Sequence, residues 1–153
     1  VILFSIKPSS SGIYQYLFAE KKVQKIYLSI APYYAELMFP QTVELRMEKG
    51  EPFYTMKIVS GQVNSSTEIN LLEHNQSWAK YQLKPITGKQ HQLRDNLNSL
   101  NIPIQNDPFY PEVIHKDAAD FSAPLQLLAK EIYFLDPITQ EPMHFHSNKE
   151  LTL

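Results

Sequence analysis

The sequence contains no cysteine and only four glycines in 153 residues. Without cysteine the chain forms no disulfide and has no thiolate to act as a nucleophile. With four scattered glycines it has no glycine-rich loop of the kind that holds nucleotide phosphates. These absences exclude disulfide-stabilised scaffolds and phosphate-loop enzymes, and they are consistent with a reducing compartment.

Long hydrophobic runs are also missing. A helix that crosses a bilayer needs about 18 consecutive apolar residues, and no stretch approaches that length. The opening "VILFSIK" is too short for a signal peptide and lacks a cleavage site. We therefore expect a cytoplasmic protein without a membrane segment.

The chain has no excess of positive charge. Its net charge is −2, which argues against a strongly basic nucleic-acid binder, whereas 43% hydrophobic residues are typical of one globular domain. A local anion-binding patch remains compatible with this composition. Two groups of basic residues are candidates for it: Lys21, Lys22 and Lys25, and Lys80, Lys84, Lys89 and Arg94.

The pattern of apolar residues predicts an α+β fold. "VILF" has the composition of a buried strand, and a helix is expected from Ser10 or Ser11 to about Lys21. In "KVQKIYLSIAP" the apolar residues alternate, which predicts a strand with Tyr27 on the face opposite its isoleucines. Further strands are expected at "TVELRMEK", "FYTMKIVS", "TEINLLEH" and "WAKYQLKPI", and a hairpin at "LQLLAKEIYFLDPITQEPMHFH".

The segment "TGKQHQLR" stands between a predicted strand and a predicted helix. Thr87 and Gln90 have the spacing of a capping box, so the helix is expected to begin there. Its leucines form one stripe, while His91 and Arg94 lie on another. A cation near the positive end of a helix dipole gains nothing from the backbone, so an anionic partner is expected for Arg94.

His144 and His146 share one face of the last predicted strand. Two histidines at this spacing can bind a metal ion and would suggest a metal-dependent hydrolase. No third ligand stands at a recognisable spacing, so we expect no metal here.

The segment "KPITGKQHQLRDNLNSLNIPIQNDPFY" resembles a part of the RluA-type RNA pseudouridine synthases, the class acting on large-subunit ribosomal and transfer RNA. That part carries a "TGRxHQ(L/I)R" turn, a helix and then "G-x-P-I-x-G-D-x-x-Y". "VILFSIKPSS" resembles the strand after the family's catalytic loop, and "KIYLSI" its "K-x-Y-x-A" strand. "LLAKEIYFLDPITQEPMHF" resembles its "L-H-A-x-x-L-x-F-x-H-P-x-T-x-E" hairpin, so nearly the whole chain is covered.

The resemblance implies a pseudouridine synthase fold with a mixed, mainly antiparallel sheet, a few flanking helices and a central RNA-binding cleft. It implies a monomeric isomerase that converts a specific uridine to pseudouridine in ribosomal or transfer RNA, without metal or cofactor. In such enzymes an Asp in an "HRLD" loop acts on the nucleotide. Tyr27 and Arg94 match the catalytic tyrosine and the arginine that pairs with this Asp, and Lys89, His91, Gln92 and Leu127 match substrate-binding positions.

The chain departs from the family pattern in one respect that concerns catalysis. No "HRLD" loop is present, so we interpret residues 1–153 as the C-terminal portion of a catalytic domain, inactive alone, whose Asp lies upstream. Asp107 and Asp136 are poor substitutes because they match turn positions. The alternative is a non-catalytic RNA-binding protein with a degenerate form of this fold.

Other departures concern the residues around the motif. Asp95 and Asn96 replace the "VH" that follows "HQLR" in the family, and Leu128 replaces the histidine of "LHA". Asn101 and Asn106 stand where glycine is usual. These changes leave Tyr27 and Arg94 intact and suggest a divergent subgroup with its own RNA target.

Overall fold

The computed structural model describes residues 1–115, 120 and 122–153. In this part of the chain, neither helix has the length and apolar character that a bilayer crossing needs. The elements are α1 (Pro8–Ala19), β1 (Gln24–Pro32), β2 (Gln41–Lys49), β3 (Met56–Val59), β4 (Ser65–His74), β5 (Trp78–Pro85), α2 (Gln92–Ser99), β6 (Leu127–Leu135) and β7 (Pro142–His146).

The seven strands form one sheet in the order β3-β2-β4-β5-β1-β6-β7. Each recorded pair of neighbours is antiparallel, and β6 and β7 form the predicted hairpin. The α+β prediction is confirmed. β1 lies between β5 and β6, so its side chains sit near the middle of the sheet.

The main core lies where α2 packs on the sheet. Leu93 and Leu97 of α2 pack with Ile69, Tyr81 and Leu83 of the central strands, all buried. Burying a leucine of this kind contributes about 1.5–3 kcal/mol to stability. The leucine stripe predicted from the sequence is therefore what holds α2 in place.

The sequence placed a strand at "VILF", and this prediction is wrong. The structure assigns no strand before α1, and Ile2, Phe4 and Ile6 are 75–91% exposed. A β-strand needs a neighbouring strand for its hydrogen bonds. Apolar composition alone therefore did not determine the conformation of this segment.

Helix α1 begins two residues earlier than its serines predicted. Pro8 occupies the first turn, where its fixed φ suits a helix and its missing N–H is not needed. The Ser10 hydroxyl donates to the carbonyl of Lys7 instead of capping the helix. The helix ends at Ala19, near the predicted boundary.

Candidate active-site cavity

A cavity of about 510 Å³ opens between β1, the start of β6 and the turn that leads into α2. It brings together parts of the chain that are about 100 residues apart. Its lining consists of Phe18, Lys25, Tyr27, Pro85, Thr87, Gly88, Lys89, His91, Gln92, Leu93, Arg94, Leu125 and Leu127.

All six residues that the sequence marked as catalytic or substrate-binding line this one cavity. They come from three elements and from the turn between β5 and α2. These residues are Tyr27, Lys89, His91, Gln92, Arg94 and Leu127. Sequence analysis named Lys25 only within a basic group and did not mark Phe18 or Leu125.

Tyr27 is placed by an irregularity in the sheet. The pairing of β1 with β6 shifts register between Ile26 and Tyr27, as in a β-bulge. Bulges redirect side chains and are common beside active sites. Tyr27 packs beside the main core and is half-buried.

The Tyr27 hydroxyl has no hydrogen-bond partner within the described part of the chain. Burial raises the pKa of its phenol above the usual value. The phenol is therefore protonated at neutral pH, and it can offer its ring or its hydroxyl to a ligand in the cavity.

The turn before α2 is held by Gln92 and not by the predicted capping box. The Gln92 carbonyl oxygen accepts from the Thr87 hydroxyl at 2.7 Å and from the Lys89 backbone N–H at 3.0 Å. Its amide nitrogen donates to the Ser66 carbonyl and the Thr67 hydroxyl. The side chain thus uses two acceptor and two donor sites to join the turn to β4.

Helix α2 consequently begins at Gln92, whereas the capping box predicted Thr87. His91 stands at the N-cap in a left-handed conformation, with φ of 51°, and makes no capping hydrogen bond through its side chain. The hydroxyl of Thr87 is engaged with the Ser66 N–H and Gln92. Residues 87–91 therefore form the wall of the cavity and not a helical turn.

Arg94 is buried and fixed by Asp107. Its Nε donates to Asp107 Oδ2 at 2.8 Å, and a terminal nitrogen donates to Asp107 Oδ1. The guanidinium carbon lies 4.6 Å from the centre of the Phe109 ring. A two-point ion pair with a stacked ring fixes the plane of the guanidinium.

Asp107 also orders the loop after α2. Its Oδ1 accepts from the backbone N–H groups of Phe109 and Tyr110 at 2.8 and 3.2 Å. The sequence interpretation gave Asp107 a turn role and placed the anion of Arg94 upstream. The turn role is found, but Asp107 is also the carboxylate partner of Arg94 within the described chain, which sequence reasoning missed.

Arg94 retains donors for a second carboxylate. The ion pair with Asp107 uses Nε and one terminal nitrogen, and the other terminal nitrogen makes no hydrogen bond to the described residues. The residue lies in the first turn of α2, beside the positive end of the helix dipole. An anion that enters the cavity is therefore favoured at this point.

Lys25 and Lys89 give the cavity its positive charge. Burial lowers the pKa of Lys25, which has no ion-pair partner among the described residues. A Cβ added at Gly88 would lie 3.5 Å from Lys25 Nζ, so this ammonium group lies against the turn. By contrast, Lys80 and Lys84 pair with Glu73 and Glu68 outside the cavity.

The two histidines of β7 have partners of their own. His144 stacks on Tyr133 and lies 3.0 Å from a carboxylate oxygen of Glu131, and its ring centre is 5.8 Å from that of His146. Among the described residues no group of three potential ligands could hold a metal ion. Asp136 accepts from two backbone N–H groups of its turn, as a turn residue would.

Comparison with family models gives a match over the first two thirds of the chain. The model described as RNA pseudouridylate synthase matches residues 1–99. This range contains α1, β1 and the turn with its catalytic and substrate-binding candidates up to Arg94.

Curated relatives carry related names. The "Dual-specificity RNA pseudouridine synthase RluA" of Haemophilus influenzae is 28% identical over 98% of this chain and 68% of its own length. The enzyme of the same name from Yersinia pestis is 32% identical over 57% of this chain and 41% of its own length. The chain thus spans about two fifths and two thirds of the lengths of these two relatives.

Solved structures agree on the fold. "Human RNA Pseudouridylate Synthase Domain Containing 1" superposes with a TM-score of 0.75 at 24% identity, over 94% of this chain and 62% of that chain. "Human RNA Pseudouridylate Synthase Domain Containing 4" gives 0.69 at 22% identity. The arrangement of strands and helices is therefore that of these proteins.

Proposed function

Because the chain belongs to the RNA pseudouridylate synthase family, we propose that it is the C-terminal portion of a catalytic domain that isomerises uridine to pseudouridine in RNA. The reaction detaches uracil from its ribose, rotates it and rejoins it through C5. The observation that carries the proposal is the convergence of the six motif residues on one cavity.

The proposed reaction uses residues of this chain together with a carboxylate that lies upstream of it. Arg94 holds that carboxylate ionised, because a cation at bonding distance lowers a carboxylate pKa by about one to three units. Its free terminal nitrogen and its place at the start of α2 support this role. The ion pair with Asp107 fixes the plane of the guanidinium, and in this plane the free terminal nitrogen would pair with the upstream carboxylate.

Tyr27 is proposed to receive the base. A uridine in folded RNA must leave its stack, which costs a few kcal/mol, and stacking on an aromatic ring recovers part of this. A protonated phenol beside the base can also exchange a proton during the reaction. Leu127 and Leu125 would close the apolar side of the cavity around the base.

Lys25 and Lys89 are proposed to bind RNA phosphates next to the target nucleotide. Both line the cavity and neither has a carboxylate partner in the described chain. Gln92, whose side chain is fully engaged with the turn, is proposed to support these residues and not to contact RNA. The name of one relative, "tRNA pseudouridine synthase C" of Vibrio cholerae, points to transfer RNA, and the resemblance described above adds ribosomal RNA as a second possible substrate. We propose a monomer acting in the cytoplasm.

The proposal is tested with the intact protein on RNA labelled with tritium at uridine C5. Isomerisation replaces the C5 hydrogen, so tritium release is expected, and mapping pseudouridines in a deletion strain would identify the target. Replacement of the upstream Asp by Asn should abolish the release. An upstream coding sequence without an Asp in a turn-like "R-x-D" segment would contradict the proposal.

The alternative of a non-catalytic RNA-binding protein predicts a different result in the same assay. Such a protein would bind uridine-containing RNA without releasing tritium. The unpaired donors of Arg94 favour the enzyme, because a binding protein has no need for a guanidinium aimed at a second carboxylate.

A further inference from the structure

The loop between β2 and β3, residues 50–55, carries an exposed aromatic ring. Phe53 is 83% exposed. The sequence predicted that Phe53 and Tyr54 belong to a strand, whereas β3 begins only at Met56. A single exposed apolar residue is common on soluble proteins and needs no explanation by itself. What distinguishes Phe53 is the set of contacts that joins its loop to the cavity described above.

A path of aromatic rings leads from this loop to the cavity wall. The centre of the Phe53 ring lies 5.5 Å from that of Tyr54, and the Tyr54 centre lies 5.3 Å from that of Phe109. The Phe109 centre lies 5.4 Å from that of His91, which lines the cavity. These separations are typical of aromatic pairs in contact. The four rings therefore connect the exposed loop with the site.

Hydrogen bonds hold the loop against the same wall. The Met56 N–H donates to the Tyr110 hydroxyl at 2.8 Å, and this hydroxyl lies 3.1 Å from His91 Nδ1. The side-chain amide of Gln90 donates to the Tyr54 carbonyl at 3.4 Å. Gln90 and His91 belong to the turn before α2, so the loop and this turn keep a fixed spacing.

The loop is also ordered from within. The N–H and the hydroxyl of Thr55 both donate to the Pro52 carbonyl at 2.8 Å, and the Gly50 N–H donates to the Thr55 carbonyl at 2.9 Å. A Cβ at Gly50 would lie 2.6 Å from Thr55 Oγ1, so this close approach needs glycine. Phe53 therefore extends from a preformed support, which reduces the entropy lost when a ligand binds.

We propose that the loop of residues 50–55 is a second RNA contact, in which Phe53 stacks on an unpaired base close in sequence to the target uridine. Proteins recognise single-stranded RNA by stacking its bases on aromatic side chains, and every base has a face that can stack. The inference rests on the proposed function for the identification of the ligand as RNA.

The surroundings of the loop favour a nucleotide over other occupants. The ring path ends at the cavity proposed to take the target uridine, so a base on Phe53 can belong to the same RNA strand. Lys49 and Lys57 flank the loop, are exposed and have no ion-pair partner among the described residues. They can pair with phosphates of that strand, while Glu51 is the single acidic residue of the loop.

Binding of fluorescein-labelled oligouridine to the intact protein tests the contact. Phe53→Leu keeps an apolar side chain without a ring and should weaken binding about tenfold. Phe53→Tyr keeps the ring and should bind within about twofold of the wild type. Phe145→Leu is the matched control, because Phe145 is an exposed aromatic residue on β7, at the opposite edge of the sheet from β3.

Three results would overturn the inference. The first is equal binding by Phe53→Leu and the wild type, and the second is a wild type that does not bind oligouridine. The third is a dimer that Phe53→Leu converts to a monomer without changing RNA binding, measured by sedimentation. That result would assign the ring to contact with a second copy of the chain.

Ultraviolet crosslinking to RNA that contains 5-iodouridine, followed by peptide mass spectrometry, locates the base. One crosslink should fall within residues 50–55 and should be lost in Phe53→Leu. Crosslinks confined to other segments would contradict the proposed stacking. Neither experiment requires turnover. If the base contact is found but no RNA is isomerised, the proposed function fails and the contact stands.

Discussion

At the scale of single residues, two buried ionisable side chains of α2 differ in the partners that they have for hydrogen bonds and ion pairs. Arg94 has a two-point partner in Asp107, whereas Asp95 has an unpaired oxygen. Removing one member of a buried ion pair destabilises a protein by about 3–5 kcal/mol. A variant of Arg94 must therefore keep the positive charge, so that a loss of activity can be distinguished from a loss of stability.

Arg94→Lys is expected to lower tritium release by about 100-fold or more, because an ammonium group cannot pair with two carboxylates in one plane. The assay is release from C5-labelled RNA by the intact protein, with folding checked by circular dichroism. Arg46→Lys is the matched control, since Arg46 is a partly exposed residue outside the cavity that pairs with Glu48. Near-normal release by Arg94→Lys would remove Arg94 from the mechanism.

Tyr27→Phe keeps the ring and loses the hydroxyl. RNA binding should be preserved while turnover falls by about 100-fold, the range typical of losing a group that transfers protons. Single-turnover rates and binding are both measured. Tyr33→Phe is the control, because Tyr33 stacks on His74 and is not among the cavity residues. An unchanged rate would reduce Tyr27 to a stacking surface.

Asp95 gives a pH prediction. Burial raises its folded-state pKa from 3.8 to about 7, so between these values the folded protein holds a proton that the unfolded chain has released. Stability should therefore fall as pH rises through this window. Asp95→Asn should abolish this dependence. Its free energy of unfolding should therefore exceed that of the wild type by little at pH 4 and by on the order of 2–4 kcal/mol at pH 8.

Urea unfolding of both proteins at pH 4, 6 and 8 provides the measurement. Asp120→Asn, on an exposed residue of the loop before β6, is the control. Parallel stability curves for the wild type and Asp95→Asn would mean that Asp95 is ionised throughout this range and that its environment is more polar than the structure indicates.

At the scale of elements, the ends of α2 determine the cavity and the loop. The helix ends in a Schellman motif: the Ile102 N–H donates to the Leu97 carbonyl and the Asn101 N–H to that of Asn98, with Asn101 at φ 60°. Asn106 also has positive φ, at 62°. Both asparagines replace glycines of the resembled motif, and asparagine tolerates this conformation better than other residues with a side chain.

Asn101→Ala should therefore destabilise the protein by about 1 kcal/mol, and Asn101→Gly should be neutral or stabilising. Denaturant unfolding measures both. Asn98→Ala lies inside α2 at helical angles and should be neutral or slightly stabilising. Equal effects of alanine at positions 98 and 101 would contradict the strain argument.

At the scale of the whole molecule, a net charge of −2 means that the proposed binding of RNA depends on a few placed cations. Each phosphate contact to single-stranded RNA adds about 0.7 to the slope of log affinity against log salt. Lys25→Gln should lower this slope by about 0.7 in the intact protein. Lys130→Gln should leave it unchanged, because Lys130 pairs with Glu150. Equal slopes for both variants would exclude Lys25 from phosphate binding.

The fold class, most strands and the six candidate site residues of the cavity could be predicted from the sequence, whereas Phe18 and Leu125 were not. The β6–β7 hairpin and the leucine stripe of α2 are local patterns that need no knowledge of their neighbours. The predicted capping box does not form, because Thr87 and Gln92 make hydrogen bonds to Ser66 of β4 instead. The strand predicted at "VILF" is absent because a β-strand needs a neighbouring strand, and composition does not show whether one is available.

The sequence by itself determined which residues are candidates for the chemistry, because the motifs that carry the family resemblance are local patterns along the chain. Only the tertiary structure decided how they are held. Asp107 pairs with Arg94, a bulge in the sheet places Tyr27, and the Tyr110 hydroxyl lies 3.1 Å from His91 Nδ1. These contacts join separate segments through packing and hydrogen bonds in three dimensions, and no spacing along the chain encodes them.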